Sequence, residues 1–262
     1  MEHKIEHPLY QVCLQRQAHR QKAIAVLLDP DKCTTEQRVP YSAIKAAQPD
    51  FIFVGGSGIN HSIDEFVNQL KQHTSVPVIL FPGDCAQFTP RADGLLLLSL
   101  VSGRNPDLLI GQHIKAAHSI AQSDVEVIST GYILIQGGKQ SSVEKVSHTQ
   151  PLSEDDTNTI TATALAAQLL GMKAIYLEAG SGALHAVSAH TIQAVRNAIH
   201  LPLMVGGGIC STEQIDCALN AGADIIVIGN HFEAHPEDIP TFTQHVHQWA
   251  PPHITHDDRV HP

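Results

Sequence analysis

The chain has 262 residues, 43% of them apolar and only 5% aromatic, which is the size of one large domain with an ample core. A formal charge of −10 excludes a dedicated nucleic-acid binder, which would carry a basic face. Five cysteines without zinc-ligand spacing (Cys13, Cys33, Cys85, Cys210, Cys217), a polar start and no apolar run near the roughly 20 residues of a membrane span lead us to expect a soluble cytoplasmic protein with free thiols.

Eight short runs of branched apolar residues follow in order: Ile24–Leu28, Phe51–Val54, Val78–Phe81, Gly94–Leu98, Tyr132–Gln136, Ala174–Leu177, Leu203–Val205 and Ile225–Ile228. Stretches of helical periodicity separate most of them: Ile63–Gln72, Leu108–Ala121, Thr159–Leu170, Thr191–Ile199 and Thr212–Asn220. Strands alternating with helices mean βα units and a parallel sheet. Eight of them at this length predict an α/β fold of the TIM (β/α)8 type, a single domain over 1–262 with its core at about 22–250. Only about a dozen residues, with Pro82, Gly83 and Pro90 among them, join Phe81 to Gly94. Proline interrupts helices, so the third helix is expected to be reduced or replaced by a loop. The polar stretch Gly137–Asn158 reads as a long loop, and the tail from about 250 to 262 as frayed.

Chemistry in such a barrel gathers where the strands end. Leu203–Val205 stops at Gly206, Gly207 and Gly208, and Ile225–Ile228 stops at Gly229 and Asn230. Glycines there let backbone N–H groups approach an anion, and the loops after the last two strands are the usual phosphate seat of the fold. Asp29, in Asp29-Pro30-Asp31-Lys32, follows the first strand and can hold a hard divalent cation or make an Asx turn. Gly55-Gly56-Ser57-Gly58 ends the second strand and offers the Ser57 hydroxyl or a tight turn. Glu178 leaves a buried strand inside Tyr176-Leu177-Glu178-Ala179-Gly180-Ser181-Gly182. A carboxylate in that position must be paired, ligand-bound or shifted in pKa, and can act on a substrate hydroxyl. Eighteen histidines are scattered; His245 and His247, two apart, do not share a helix face. Trp249 and Phe242 read as packing for the last helix.

Six segments together resemble a known family: Leu28 to Lys32, Phe53 to Ser57, Leu98 to Pro106, Tyr176 to Gly182, Val205 to Ile209, and Gly229-Asn230. From about Ile24 to Asn230 the chain is similar to geranylgeranylglyceryl phosphate synthases, in the branch shared by many archaea and some bacteria. The resemblance implies a Mg2+-dependent prenyltransferase that moves a geranylgeranyl group from its diphosphate to the 3-hydroxyl of sn-glycerol 1-phosphate, an ether-lipid precursor step. It implies Mg2+ at Asp29 and Ser57. It implies glycerol 1-phosphate binding by Tyr176, Leu177, Glu178, Ala179, Gly180, Ser181 and Gly182, with Gly207, Gly208, Gly229 and Asn230 at the phosphate, and Glu178 as the catalytic group. The prenyl chain, roughly 20 Å extended, would lie along the flank left by the missing third helix. Where a related bacterial branch has a lysine two places before the aspartate, this chain has Leu27. The phosphate grip is thus left to backbone amides and a residue that the motifs do not name. The partners expected are the two substrates, a homo-oligomeric copy (a dimer or a larger ring) and a transient membrane surface. The rival readings are another phosphate-binding barrel, such as a sugar-phosphate isomerase or an indole-glycerol-phosphate type lyase, and a non-catalytic barrel scaffold.

Overall fold

The fold is given by a computed structural model, which describes residues 8–33, 39–56, 58 and 61–251. Eight parallel strands close into a barrel in chain order: β1 Ala23–Leu28, β2 Phe51–Val54, β3 Val78–Leu80, β4 Gly94–Leu100, β5 Glu126–Leu134, β6 Ala174–Glu178, β7 Leu203–Gly206 and β8 Ile225–Ile228. Closure comes from β1 pairing with β8, with Val26 opposite Ile228. Side chains alternate across each strand. One set, with Ala25, Phe53, Leu96, Tyr132, Tyr176, Met204 and Val227, fills the barrel's interior. The other, with Ile24, Val26, Ile52, Leu177, Val205 and Ile226, packs outward against the helices. Burial on both faces explains why these strands read as unbroken apolar runs.

The outer layer is α2 Tyr41–Ala47, α3 Ile63–His73, α4 Gln112–Ala121, α6 Thr157–Leu169, α7 Ala189–Ala198, α8 Thr212–Asn220 and α10 Ile239–Gln248. Serine or aspartate caps start several of them; Ser62, Asp156, Ser188 and Ser211 accept from the backbone amide three residues on. The β3–β4 connection holds only a three-residue 3₁₀ turn, Cys85–Gln87, so the reduced third helix is observed. The side-chain Nε2 of Gln87 donates to Gly56 O at 2.9 Å and ties this turn to the end of β2.

Four features differ from the sequence reading. A helix, α1 Pro8–Ala18, precedes the barrel and plugs its floor with Leu9 and Cys13. Its first amides, Leu9 N and Tyr10 N, donate to the buried carboxylate of Glu126 at 2.7 and 2.9 Å. β5 begins at Glu126 rather than Tyr132. The polar Ser129-Thr130-Gly131 stretch hid its first half, and Gly131 sits where a Cβ would meet Ala167 and Met172, so glycine there marks close approach of α6. The stretch 137–158 carries a short helix, α5 Ser142–Ser147, capped by Ser141. The helical run at Leu108 opens as a π-turn over Asp107–Gly111 before α4. Residues 252–262 of the expected frayed tail lie outside the described residues.

Candidate active site

A cavity of about 710 Å³ opens at the C-terminal ends of the strands. Asp29, Tyr176, Glu178, Gly180, Ser181, Gly182, Gly207, Gly208, Gly229 and Asn230 all line it. Leu177 and Ala179 do not; their side chains belong to the outward packing layer, as alternation with Tyr176 and Glu178 requires. Those two contribute backbone only, with Ala179 N donating to Gly206 O at 3.0 Å. Ser57 lies outside the described residues.

Glu178 is the centre of the anionic end. The residue is 6% exposed, and its carboxylate accepts from Gly180 N at 2.6 Å and from the Tyr176 hydroxyl. Burial outweighs both hydrogen bonds and pushes its pKa up to about 7. The Tyr176 ring stacks on Tyr132 at 5.3 Å between centroids, and Phe81 leans on Tyr176 at 5.1 Å. Burial and then the charge of Glu178 hold both phenols well above the usual tyrosine range, so they remain hydrogen-bond donors.

The glycines around this carboxylate are required by contact. Gly207 has φ +82° and Gly208 φ +71°. A Cβ on Gly207 would run into Glu178 Oε1 and lie 2.7 Å from Gly180 N; one on Gly208 would lie 2.8 Å from the His185 carbonyl oxygen. Beyond them Ser181 Oγ donates to Asn230 Oδ1 at 3.0 Å, joining the β6 loop to the start of α9 Asn230–Ala234. Lys32 Nζ reaches the same Asn230 Oδ1 at 3.3 Å and pairs with Glu233 at 2.9 Å.

Asp29 stands across the mouth. Its Oδ1 accepts from Asp31 N at 3.0 Å, so the Asx turn is present, and the carboxylate faces Gly56 so closely that a Cβ there would lie 2.8 Å from Oδ2. Half burial raises its pKa above the ordinary aspartate value. Asp31 turns aside and accepts from His61 Nδ1 at 2.7 Å. Among the described residues no three His, Cys, Asp or Glu side chains converge on a metal site. A lone carboxylate on an open cavity is a donor set that suits Mg2+, which keeps several waters and takes substrate phosphate oxygens. His245 and His247 are engaged instead with Asp216 (2.8 Å) and Asp50 (3.0 Å), and Phe242 is buried in the core with Trp249 packed beside it.

From Glu178 the cavity continues between β4 and α4. Leu95 and Leu97 project outward from β4, and Phe88, Ala116 and Ile120 complete the trench. A third barrel helix would cover this flank. Without one, Leu97 is only half-buried. Sequence reasoning missed Phe81 and Tyr132, whose contacts cross the barrel, and the reach of Lys32 to Asn230, 198 residues away. Tyr132 carried a faint signal as an aromatic inside a strand.

A glycine-lined anion end continuous with a leucine trench defines a phosphate-binding barrel whose ligand has a charged head and a long apolar tail. The chain belongs to the PcrB family, whose profile matches residues 16–246. It is 45% identical over 236 residues to a geranylgeranylglyceryl phosphate synthase of Flavobacterium johnsoniae, covering 89% of this chain and 97% of that one. The identity is 39% to the Korarchaeum cryptofilum enzyme of the same name, over 80% and 87% of the two chains. The crystal structure of (S)-3-O-geranylgeranylglyceryl phosphate synthase from Thermoplasma acidophilum with its substrate sn-glycerol-1-phosphate superposes with a TM-score of 0.84. It is 30% identical, and the match covers 92% of this chain and 98% of that one.

Proposed function

We infer that this barrel transfers a geranylgeranyl group from its diphosphate to the 3-hydroxyl of sn-glycerol 1-phosphate. The observation that carries the reading is the continuity of one cavity from the Gly207–Gly208 and Gly229–Asn230 loops to the Leu95–Leu97 trench. A sugar-phosphate isomerase or lyase has no use for such a trench. The family relatives support the same reading.

In the reaction, the bond from C1 of the prenyl group to the diphosphate oxygen breaks and its electron pair leaves with the diphosphate. A bond from the glycerol hydroxyl oxygen to C1 forms, and the hydroxyl proton passes to Glu178. The chain's contribution is placement. The glycine loops fix the phosphate, the trench fixes the tail, and orientation of this kind lowers a barrier by several kcal/mol. A carboxylate with a pKa near 7 is well matched to accept a proton late in the step. The Tyr176 hydroxyl and Gly180 N hold that carboxylate in one orientation. Asp29, with Ser57, would hold Mg2+, which supplies charge neutralisation for the departing diphosphate. Leu165, Leu169 and Leu170, exposed at the end of α6, offer an apolar surface for the proposed self-association. Among the described residues no helix is long and apolar enough to cross a membrane.

The test is transfer of radiolabelled glycerol 1-phosphate into an organic-soluble product with geranylgeranyl diphosphate and Mg2+, beside glycerol 3-phosphate and EDTA controls. Extractable label requiring the 1-phosphate and the metal supports the reading. No transfer, with phosphate still bound, moves the rival phosphate enzymes ahead. Asp29→Asn should shift the Mg2+ titration to higher concentration; an unchanged titration would reject Asp29 as the ligand.

A further inference from the structure

Both substrates of the proposed reaction are anions, and the cavity is poor in cations. Of its described lining residues, Lys32 is the only lysine or arginine. Arg104, in the loop after β4, folds back on neighbouring backbone carbonyls instead, Gly103 O at 2.7 Å and Val101 O at 3.2 Å. Lys32 comes from the turn after β1, and because β1 pairs with β8 its ammonium reaches the neighbouring loop after β8. It donates to Asn230 Oδ1 at 3.3 Å and to both oxygens of Glu233 at 2.9 and 3.1 Å. The same Asn230 oxygen accepts from Ser181 Oγ. Lys32 therefore stands beside the Ser181–Asn230 contact, at the end of the cavity where the Gly207–Gly208 loop also faces inward.

We propose that Lys32 is the phosphate-binding cation of the glycerol-phosphate subsite, parked on Glu233 until the substrate arrives. This rests on the functional reading above. Three observations support it. The Lys32 side chain is 43% exposed and that of Glu233 20% exposed, so the pair is weak and its geometry easily exchanged. An ammonium has three donors on a flexible stem and can keep Asn230 while turning to a phosphate oxygen. Position 27, on the strand before it, is leucine and directs only an apolar side chain at the cavity. Glu233 is the complementary element: it holds the ammonium at the site but competes with phosphate for it. The two residues should thus have opposite effects on the same constant.

The experiment is steady-state kinetics of Lys32→Met, Lys32→Arg and Glu233→Gln, with direct titration of glycerol 1-phosphate into each protein by calorimetry in the absence of prenyl donor. Lys32→Met should raise the KM and the Kd for glycerol 1-phosphate by about 10- to 100-fold, the scale of one charge-assisted hydrogen bond. The kcat and the KM for the prenyl diphosphate should change little. Lys32→Arg should restore part of the affinity, and Glu233→Gln should lower the KM for glycerol 1-phosphate severalfold. A purely structural Lys32–Glu233 pair would make both neutralising variants lose stability and activity in parallel, which would overturn the assignment. A rise confined to the KM for the prenyl diphosphate would overturn it too, giving Lys32 to the other substrate. If the unmodified protein itself binds no glycerol 1-phosphate, the functional reading fails, a result distinct from a wild-type Kd that Lys32→Met leaves unaltered.

Discussion

The two ends of the cavity are built on opposite principles. At the anionic end the chain is packed so tightly that three successive glycines, 206 to 208, leave no room for a methyl group: the Tyr176 hydroxyl, the Glu178 carboxylate and the His185 carbonyl occupy each place. At the apolar end the wall is incomplete, because a three-residue turn replaces a helix and leaves Leu97 half-buried. On the proposed function, one end would achieve specificity by excluding every alternative position for a small polar group. The other, on the same reading, would accept a long flexible group because a layer of the barrel is left out. Substitutions at the first should therefore be costly and general, and at the second modest and selective for tail length.

The strongest break in that contrast is Gly207→Ala. The φ of +82° disfavours any side chain, and the neighbours at 2.7 and 2.9 Å are backbone nitrogens of Gly180 and Ala179, which cannot step aside. Left-handed strain of about 1–3 kcal/mol adds to the clash. Loss of transfer by more than about a thousandfold, with an intact far-ultraviolet circular dichroism spectrum, is the expected outcome. Activity within tenfold of the parent would show that the loop is not fixed by contact.

Next in size is Glu178→Gln, which keeps the shape and removes the proposed proton acceptor. General-base removal predicts a fall in kcat of roughly 10²- to 10⁴-fold, with the Mg2+ titration unchanged. Equal losses in kcat and in metal affinity would place Glu178 at the ion instead. In the parent enzyme the base must be ionised to work. Hence kcat/KM should rise with pH up to about 7 and level off above it; a profile flat from pH 5 to 8 contradicts the role.

At the open end Leu97→Trp should act on one substrate more than on another. Filling the trench ought to depress transfer of a twenty-carbon donor by about tenfold while a ten-carbon donor is spared, the scale on which an apolar pocket discriminates by size. Equal effects on both donors would locate the tail elsewhere.

What the sequence discloses follows the range of the interactions involved. The barrel, its missing helix and Glu178 were legible because each is written locally: branched runs ending at glycine, two prolines in a short connection, and a charge at the end of a buried strand. The helix α1 was not, because its first amides depend on Glu126, 117 residues further on. The first half of β5 was hidden because Gly131 answers to Ala167 of α6 and to Met172 just after it rather than to strand propensity. Lys32 sat in a motif that pointed to a metal, and only the closed barrel brings it to Asn230. The outward turn of Leu177 and Ala179 could have been read from alternation along β6.

The smallest effect concerns the cost of keeping Glu178 buried. Its folded pKa of about 7 lies above the ordinary 4.5, so between those values the native chain holds a proton that the unfolded chain has released. Stability must then fall as pH rises from about 4.5 to about 7 and stay level above, the reverse of a salt-bridged carboxylate. The full penalty is of order 3 kcal/mol at pH 8, roughly 6–12 °C of Tm in a chain of this length. Glutamine carries no charge to desolvate and can still accept from Gly180 N. In chelated, phosphate-free buffer, Glu178→Gln should consequently melt higher than the parent at pH 8, with a distinctly smaller gap at pH 5. A gap of the same size at both pH values would mean that Glu178 titrates as an ordinary carboxylate, and that the tight anionic end imposes its order through shape alone.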